Sequence, residues 1–241
     1  MTAISTPQPP QRVDTKTKLV LAAERLFAQH GIDGVTLRQI TRAAGQRNES
    51  ALHYHFRTRE ALIAAIFTHR TAAIDAYRNT LIDDLEQAGG SGDLRRLVEA
   101  LVVPMSAPLR ERRDENHYNR FLAEVLRSPS VNVRDVVGQN RLDSGIRRLF
   151  AHIGRVLDHI PERLLRQRCQ MAMNAITYAL ADIEAVMTRR EQAGSRFDLL
   201  LAIDNLIDQT AAGLAAEPSA ATRRRLICLH RSEETDEENA T

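Results

Sequence analysis

The stretch VTLRQITRAAGQRNESALHYHFRTREAL, residues 35–62, decides the fold of this chain. Thr36 is a good N-cap, and Gln39 three residues later completes a capping box, so the pattern predicts a short helix over 37–44. Gly45 then ends the helix, because glycine readily adopts the backbone conformation of a C-terminal cap. The segment therefore opens with a short, well-delimited helix followed by a tight turn.

A second short helix is predicted over 49–55, because Asn48 directly before it is a good N-cap. Two short helices joined by a glycine turn form the helix-turn-helix pattern. Helices of this length are marginal in water by themselves. We therefore expect support from two flanking helices with apolar faces, one over 14–30 and a long one that begins at Arg59 after the N-cap Thr58.

Side chains suited to DNA stand at the starts of these helices. A helix fits the major groove, where side chains reach base edges, while arginines and helix N-termini meet phosphates. Glu49 has two interpretations, an acceptor for a cytosine amino group or an acid stabilised at a helix N-terminus. The residues predicted to contact DNA are Thr36, Arg38, Arg47, Asn48, Glu49, Ser50, His53, Tyr54, Arg57, Thr58 and Arg59.

The composition of the 241 residues favours helices throughout. Only 11 glycines and 8 prolines occur, aromatic residues make up 4%, and tryptophan is absent, which argues against a sandwich or a barrel. No apolar run approaches the length of a membrane span. The two cysteines, Cys169 and Cys228, lie far apart, so neither a disulfide scaffold nor a zinc site is expected, and the default compartment is the cytoplasm.

The formal net charge of +2 conceals two unlike parts of the chain. Residues 1–70 contain 10 basic and 5 acidic residues, a net charge of +5, whereas residues 71–241 carry a net charge of −3. A basic segment that coincides with a helix-turn-helix pattern is typical of a nucleic-acid-binding region.

The predicted fold is all-α, with an N-terminal helix-turn-helix domain of three helices and a larger helical domain. A disordered lead-in is expected over 1–12, the DNA-binding domain over 13–60, the larger domain over 61–216 and a disordered tail over 217–241. In the larger domain, a helix is predicted from about 131 to 159, and Ser195 is predicted to cap the last helix with Asp198 three residues on.

Residues 35–62 resemble the DNA-binding domain of the tetracycline-repressor (TetR) family of bacterial transcription regulators. The resemblance lies in Thr36, Ile40, Ala44-Gly45, the cluster Tyr54-His55-Phe56 and the pair Arg59-Glu60. It extends over about 15–70. The span from the turn glycine to Phe56 is one residue longer than the family pattern, which leaves open which recognition-helix side chains face the bases.

The resemblance implies a homodimeric regulator, most simply a repressor that a small, largely apolar effector releases from a palindromic operator. It also implies a ligand cavity in the middle helices and a dimer interface on the last two long helices. The candidates for the cavity, for each of which plain core packing is the alternative, are Met105, His117, Tyr118, Phe121, Val125, Phe150, Met171 and Tyr178. The interface candidates are Ala172, Ile176, Ala179, Ile183, Leu199, Ile203, Leu206 and Ile207.

Other functions stay open at this stage. The chain has no nucleophile–base–acid set, no phosphate-binding glycine loop and no run of metal ligands, so neither an enzyme nor a cofactor nor a metal is predicted. His53 and His55 stand two residues apart and point to different helix faces, which makes a poor metal pair. An activator, a protein that binds DNA without sequence preference, and a helical carrier or enzyme remain the alternatives.

Overall fold

The computed structural model describes residues 14–46, 54–110, 117–129, 131 and 144–228, and over these ranges it contains α-helices and no β-strand. The all-α prediction is thus confirmed. The helices are α1 (Thr15–His30), α2 (Leu37–Ala43), α3 (Arg59–Gln87), α4 (Leu94–Arg110), α5 (Tyr118–Arg127), α6 (Ser144–Val156), α7 (Glu162–Gln192), α8 (Leu199–Ala215) and α9 (Ala220–Cys228).

The predicted start of α2 is observed, and the helix ends one residue earlier than predicted, at Ala43. The Thr36 hydroxyl accepts from the backbone N–H of Gln39, and the Gln39 side chain accepts from the backbone N–H of Thr36, so the capping box is complete. Gly45 follows the helix with a φ of 72°, a left-handed conformation that glycine adopts without strain. Of the predicted second helix, 49–53 lie outside the described residues, while Tyr54 and His55 are helical.

The long helix α3 runs through both the N-terminal head, residues 14–66, and the helical body that follows. Thr58 caps it, and Leu62 and Ile66 are fully buried in its first turns. Helix α1 packs against α2 and α3, whereas α3 also packs against α4 and α6. The boundary predicted at residue 60 therefore falls at the start of a continuous helix rather than in a linker.

One helix of the body, α5, joins it to the head. It packs against α1 on one side and α7 on the other. The ring of Phe121 lies 6.2 Å from that of Phe27 in α1 and 5.7 Å from that of Phe67 in α3, measured between centroids. Head and body thus share one apolar contact centred on Phe121. Helix α8 completes the body by packing against α4 and α7.

One predicted helix start is wrong, and a second falls largely outside the described residues. The N-cap of α8 is Asp198, whose carboxylate accepts from the backbone N–H of Leu201 at 3.0 Å, and Ser195 instead accepts from the Arg190 guanidinium. Asp198 caps the helix instead of Ser195 because its carboxylate, one residue before the helix, reaches the unpaired N–H groups of the first turn directly. Val131 is not helical, and the helix predicted from that point is observed as Ser144–Val156, with 132–143 outside the described residues.

The C-terminal segment is partly ordered, against the prediction of a disordered tail over 217–241. Helix α9 begins after Ser219, whose hydroxyl accepts from the backbone N–H of Thr222 at 3.2 Å, and Leu226 packs on the core. The cap at Ser219 and the packing of Leu226 on the core stabilise this helix although the segment has a polar composition. Residues 229–241, like the predicted lead-in over 1–12, lie outside the described ranges.

The described helices differ from membrane-spanning helices in length or composition. No single one of them is long and apolar enough to cross a membrane. Taken together, α8 and α9 reach the required length and composition, but the pair is bent by 54°.

Candidate nucleic-acid interface

The N-terminus of α2 is the first exposed element of the head. The Thr36 hydroxyl donates to Gln39 Oε1 at 2.7 Å and accepts from the Gln39 backbone N–H at 3.3 Å. The hydroxyl is therefore engaged in the cap, which positions the helix start, whereas Arg38 is exposed to solvent. A helix N-terminus with an exposed guanidinium beside it suits a phosphate.

The N-terminus of α3 has the same character. Thr58 accepts from the backbone N–H of Ala61 at 3.1 Å, and Arg57 before it is exposed. Backbone hydrogen bonding at its own position and the Thr58 hydroxyl hold the pKa of Glu60 below its usual range, so this first-turn carboxylate stays charged. The positive end of a long helix and Arg57 form a second place where a phosphate fits.

Arg59 takes a different role from the predicted DNA contact. Its guanidinium donates to the carbonyl of Val35 at 3.0 Å and pairs with Asp33 at 3.4 Å. These bonds join the start of α3 to the entry of α2. Because the donors are directed at the protein, Arg59 is a positioning residue for the two helix N-termini rather than a free cation.

At the end of the predicted recognition helix, one aromatic side chain is exposed and another, two residues later, is buried. Tyr54 is 85% exposed, its ring meeting that of His55 edge-on at 5.0 Å, whereas Phe56 is buried in the core. Tyr54 is thus available to a partner of the head. Five other predicted DNA contacts lie outside the described residues, namely Arg47, Asn48, Glu49, Ser50 and His53.

A cleft of about 580 Å³ lies in the head beside these elements, between the start of α1 and α3. Its wall includes Lys16 and His69, both exposed, and partial desolvation lowers the pKa of His69 below its ordinary value. Sequence reasoning missed this cleft, because its lining comes from three segments that only the fold brings together. The remaining lining residues are Asp14, Thr17, Val20, His55, Phe56, Ala61, Ala64, Ala65 and Thr68.

A fully buried carboxylate, Glu24 of α1, joins the head to the body. Arg70 of α3 donates to it from Nε at 2.7 Å and from Nη2 at 2.9 Å, and the backbone N–H of His117 donates at 2.8 Å. The imidazole of His117 in turn lies 3.8 Å from the carboxylate of Glu184 in α7. A polar chain therefore runs from the DNA-binding head through the start of α5 to the longest helix of the body.

The predicted cavity residues divide into interior and surface positions. Met105, Tyr118, Phe121 and Val125 are buried, and burial raises the pKa of the Tyr118 hydroxyl to about 12. His117 and Phe150 are partly buried. Two predicted cavity residues of α7 lie on the surface of the single chain, with exposed fractions of 63% and 43%, namely Met171 and Tyr178.

The predicted dimer residues divide between buried and partly buried positions of the single chain. Four are buried within the single chain, namely Ile176, Ile203, Leu206 and Ile207. They face the other helices of the same body, because α8 packs against both α4 and α7. When a helix has more than one apolar face, its periodicity does not show which face packs against a partner subunit. The partly buried candidates are Ala172, Ala179, Ile183 and Leu199.

Together, the capped α2, the exposed N-terminus of α3 and the basic head define the class of a helix-turn-helix DNA-binding protein with a helical second domain. Two family models match the chain, "Bacterial regulatory proteins, tetR family" over residues 19–66 and "Tetracyclin repressor-like, C-terminal domain" over residues 99–213. The chain belongs to the tetR family of bacterial transcription regulators.

Similar proteins agree with this assignment. The HTH-type transcriptional repressor AcnR of Corynebacterium diphtheriae is 27% identical over 170 residues, covering 69% of this chain and 80% of that protein. The repressor of the same name from Corynebacterium efficiens is 26% identical over 70% of this chain and 83% of its own length. A crystal structure of a tetR family regulator from Shewanella sp. PV-4 shares the fold, with a TM-score of 0.55 at 16% identity, covering 82% of this chain and 96% of that one.

Proposed function

We propose that the chain is a homodimeric repressor that binds a palindromic operator and leaves it when a small effector enters the helical body. The observation that carries the proposal is the pair of exposed, capped helix N-termini on one basic head, at α2 and α3. The names of the two AcnR relatives support repression rather than activation. The site of action would be the cytoplasm, where bacterial DNA lies.

The recognition helix would enter the major groove, with the two helix N-termini on phosphates to either side of it. Arg38 and Arg57 would supply the phosphate contacts beside these N-termini. Arg59 would hold the two helix starts at a fixed separation through its bond to the Val35 carbonyl. Base contacts would come from the recognition helix and from the two residues directly before it, Arg47 and Asn48.

The dimer would form through the outer faces of α7 and α8. Large apolar side chains are exposed there in the single chain, at Met171 and Tyr178 on α7 and at Leu200 and Leu201 on α8. Exposed apolar surface of this kind is removed from water when a second copy packs against it. A two-fold dimer places two recognition helices one DNA turn apart, about 34–36 Å, and therefore reads a palindrome.

Release from the operator would depend on the contacts between the body and the head. An effector that prefers one arrangement of α4 and α5 shifts the equilibrium toward it, by no more than its difference in affinity for the two states. Helix α5 would carry the change to α1 through Phe121 and through the bond from the His117 N–H to Glu24. The spacing of the two heads would then no longer match the operator.

An electrophoretic shift assay with the duplex upstream of the protein's own reading frame tests this function. We expect a shift that an excess of random duplex does not abolish. Equal competition by random duplex would instead identify a protein that binds DNA without specificity, since such binding depends on phosphate charge alone. No shift at low salt with any neighbouring intergenic duplex would favour a carrier or an enzyme. A transcription assay on the bound promoter then separates repression from activation.

A further inference from the structure

The buried face of α3 carries a polar stripe, defined here as Thr71, Asp75 and Arg78. These residues are spaced at i, i+4 and i+7 and therefore share one face of the helix. All three are buried, although the face continues at Ile82 as an ordinary apolar surface. Burying polar groups costs free energy unless hydrogen bonds replace those made to water. The partners of the three side chains are therefore informative.

Two members of the stripe are satisfied. The hydroxyl of Thr71 lies 3.1 Å from that of Tyr118. The carboxylate of Asp75 accepts from the backbone N–H of Gly145 at 2.9 Å and from the Ser144 hydroxyl at 2.6 Å. Asp75 is thus bound to the N-terminus of α6, where the helix dipole favours a negative charge.

Arg78 forms an ion pair with Asp75, but its guanidinium is only partly satisfied. Its side chain is 1% exposed, and its Nη2 donates to the carbonyl of Leu101 in α4 at 3.5 Å. The Nη1 atom lies 3.6 Å from Asp75 Oδ1, and both Nη1 and Nε are buried without a hydrogen-bond partner. A guanidinium has five N–H donors and no acceptor, so several donors are left without a partner. Burial also lowers the pKa of Arg78, because the charged form loses its hydration.

A second orphaned atom lies along the same helix α4. Asn119 of α5 is 1% exposed; its Nδ2 donates to the carbonyl of Met105 at 3.2 Å, and its Oδ1 is buried without a partner. Leu101 and Met105, the two acceptors, are four residues apart, so their carbonyls lie about 6 Å apart along α4. Arg78 and Asn119 therefore approach one side of α4 about a helical turn apart, among apolar side chains.

We propose that Arg78 binds the carboxylate of an amphipathic organic acid, and that this acid is the effector. An oxygen anion supplies what the orphaned N–H groups lack, and hydrogen bonds between two charged groups are the strong ones. Asn119 Oδ1 would accept from a donor elsewhere on the acid. The neighbouring Leu101 and Met105 favour an apolar remainder. The assignment rests on the proposed function, because it takes the body to be the effector-binding domain.

Thermal unfolding of the purified full chain tests the site without DNA. The probes are octanoate, benzoate and phenylacetate, each compared with its primary amide at the same millimolar concentration. We expect at least one acid to raise the unfolding midpoint of the wild type, while its amide does not. In Arg78→Met that shift should vanish, corresponding to an affinity at least about tenfold weaker. Arg78→Lys, which keeps the charge, should retain part of it.

The stability of the free variants shows whether a lost response merely reflects a less stable protein. Without ligand, Arg78→Met should unfold at a lower temperature than the wild type, because it leaves the buried carboxylate of Asp75 without its ion-pair partner. The matched control is Arg168→Met, which removes an arginine whose donor is used, with Nη1 bonded to the Leu214 carbonyl at 2.7 Å. This control should unfold at a lower temperature than the wild type and keep the response to the acid.

Several results would overturn the assignment. They are an acid response that survives in Arg78→Met, an acid response that is lost equally in Arg168→Met, amides as effective as their acids, or no response of the wild type to any of the three acids. A shift assay separates this question from the proposed function. If neither the wild type nor Arg78→Met binds the upstream duplex, the repressor function fails, while the thermal shifts still decide the acid site.

Discussion

The single buried charge of Glu24 contributes to the stability of the head. Glu24 accepts three hydrogen bonds, two from Arg70 and one from the His117 backbone, while its side chain is fully buried. An amide at this position keeps the size of the side chain but loses the charge, and it turns one acceptor into a donor that faces the Arg70 guanidinium.

Glu24→Gln should therefore lower the free energy of unfolding by about 3 kcal/mol, the usual cost of breaking a buried ion pair. The measurement is urea denaturation of the purified protein. Glu162→Gln is the matched control, because Glu162 makes an exposed i, i+4 pair with Arg166 at 3.4 Å. It should cost less than about 0.5 kcal/mol. Equal losses in the two variants would contradict the role assigned to Glu24.

Arg57 is the residue that tests the phosphate contact at the start of α3. Arg57→Ala should weaken operator binding about tenfold, since a charge-assisted hydrogen bond is lost. It should also reduce the slope of log affinity against log salt by about 0.9, the contribution of one phosphate. Fluorescence anisotropy across a salt series measures both. Arg166→Ala, which removes an exposed charge of the body, should change neither, and an unchanged slope for Arg57→Ala would remove Arg57 from the interface.

At the scale of the element, the turn between α2 and the recognition helix depends on the backbone of Gly45. Its φ of 72° lies in the left-handed region, although nothing within 4 Å obstructs a side chain. Any cost of a substitution there is therefore conformational rather than steric. Gly154 in α6 is the matched position, since it is equally open and has no positive φ.

Gly45→Ala should destabilise the protein by about 1 kcal/mol, the penalty for a left-handed alanine. Gly154→Ala should instead stabilise it by about 0.5–1 kcal/mol, because alanine loses less backbone entropy than glycine in a helix. Urea denaturation of both variants measures the difference. If the two substitutions had the same sign, the turn would not depend on the conformation of Gly45.

Short-range signals proved the most predictable part of the elements. The capping box of Thr36 and Gln39 formed as expected, because both partners lie within one helical turn and need no tertiary context. Ser195 failed as a cap because Asp198, a stronger competitor for the same N–H groups, stands closer to the helix. A capping pattern identifies the neighbourhood of a helix start, and the competition among polar side chains decides the residue.

It was harder to predict from the sequence which face of a helix is buried. Helical periodicity predicts Tyr77 on the inward stripe of α3, whereas the structure leaves it 40% exposed and buries Arg78. The two positions are consecutive and therefore about 100° apart around the helix, and an arginine is not expected in a core. The polar stripe of α3 could not be found from the sequence, because its partners come from α4, α5 and α6.

The proposed dimer requires that α7 and α8 pack against a second copy of the chain. Tyr178 on α7 is 43% exposed in the single chain, and Tyr77 on α3 is similarly exposed at 40%. The two tyrosines therefore differ chiefly in the element that carries them. This makes them a matched pair for testing where the subunits touch.

Tyr178→Asp should convert the dimer into a monomer at micromolar concentration, because it places a charge in an apolar interface. Tyr77→Asp should leave the dimer intact. Size-exclusion chromatography with light scattering measures the mass of each, and circular dichroism checks that both remain folded. A dimer that persists in Tyr178→Asp, or that is lost equally in both variants, would contradict the proposed interface.

The division of charge between head and body was visible in the sequence, but the path between them was not. The net charge of +5 over residues 1–70 marks a basic head whatever the fold. The bonds from Arg70 and His117 to Glu24 join positions 46 and 93 residues apart. Such pairings follow from the packing of α1 against α3 and α5, which no local pattern encodes.

Operator recognition by a dimer can be tested by footprinting of the region upstream of the reading frame. We expect one protected window with two-fold symmetry, whose half-sites lie about one DNA turn or a multiple of it apart. We also expect that Tyr178→Asp loses the window at concentrations where Tyr77→Asp keeps it. Protection spread evenly along the duplex, or no protection at all, would contradict operator recognition by a dimer.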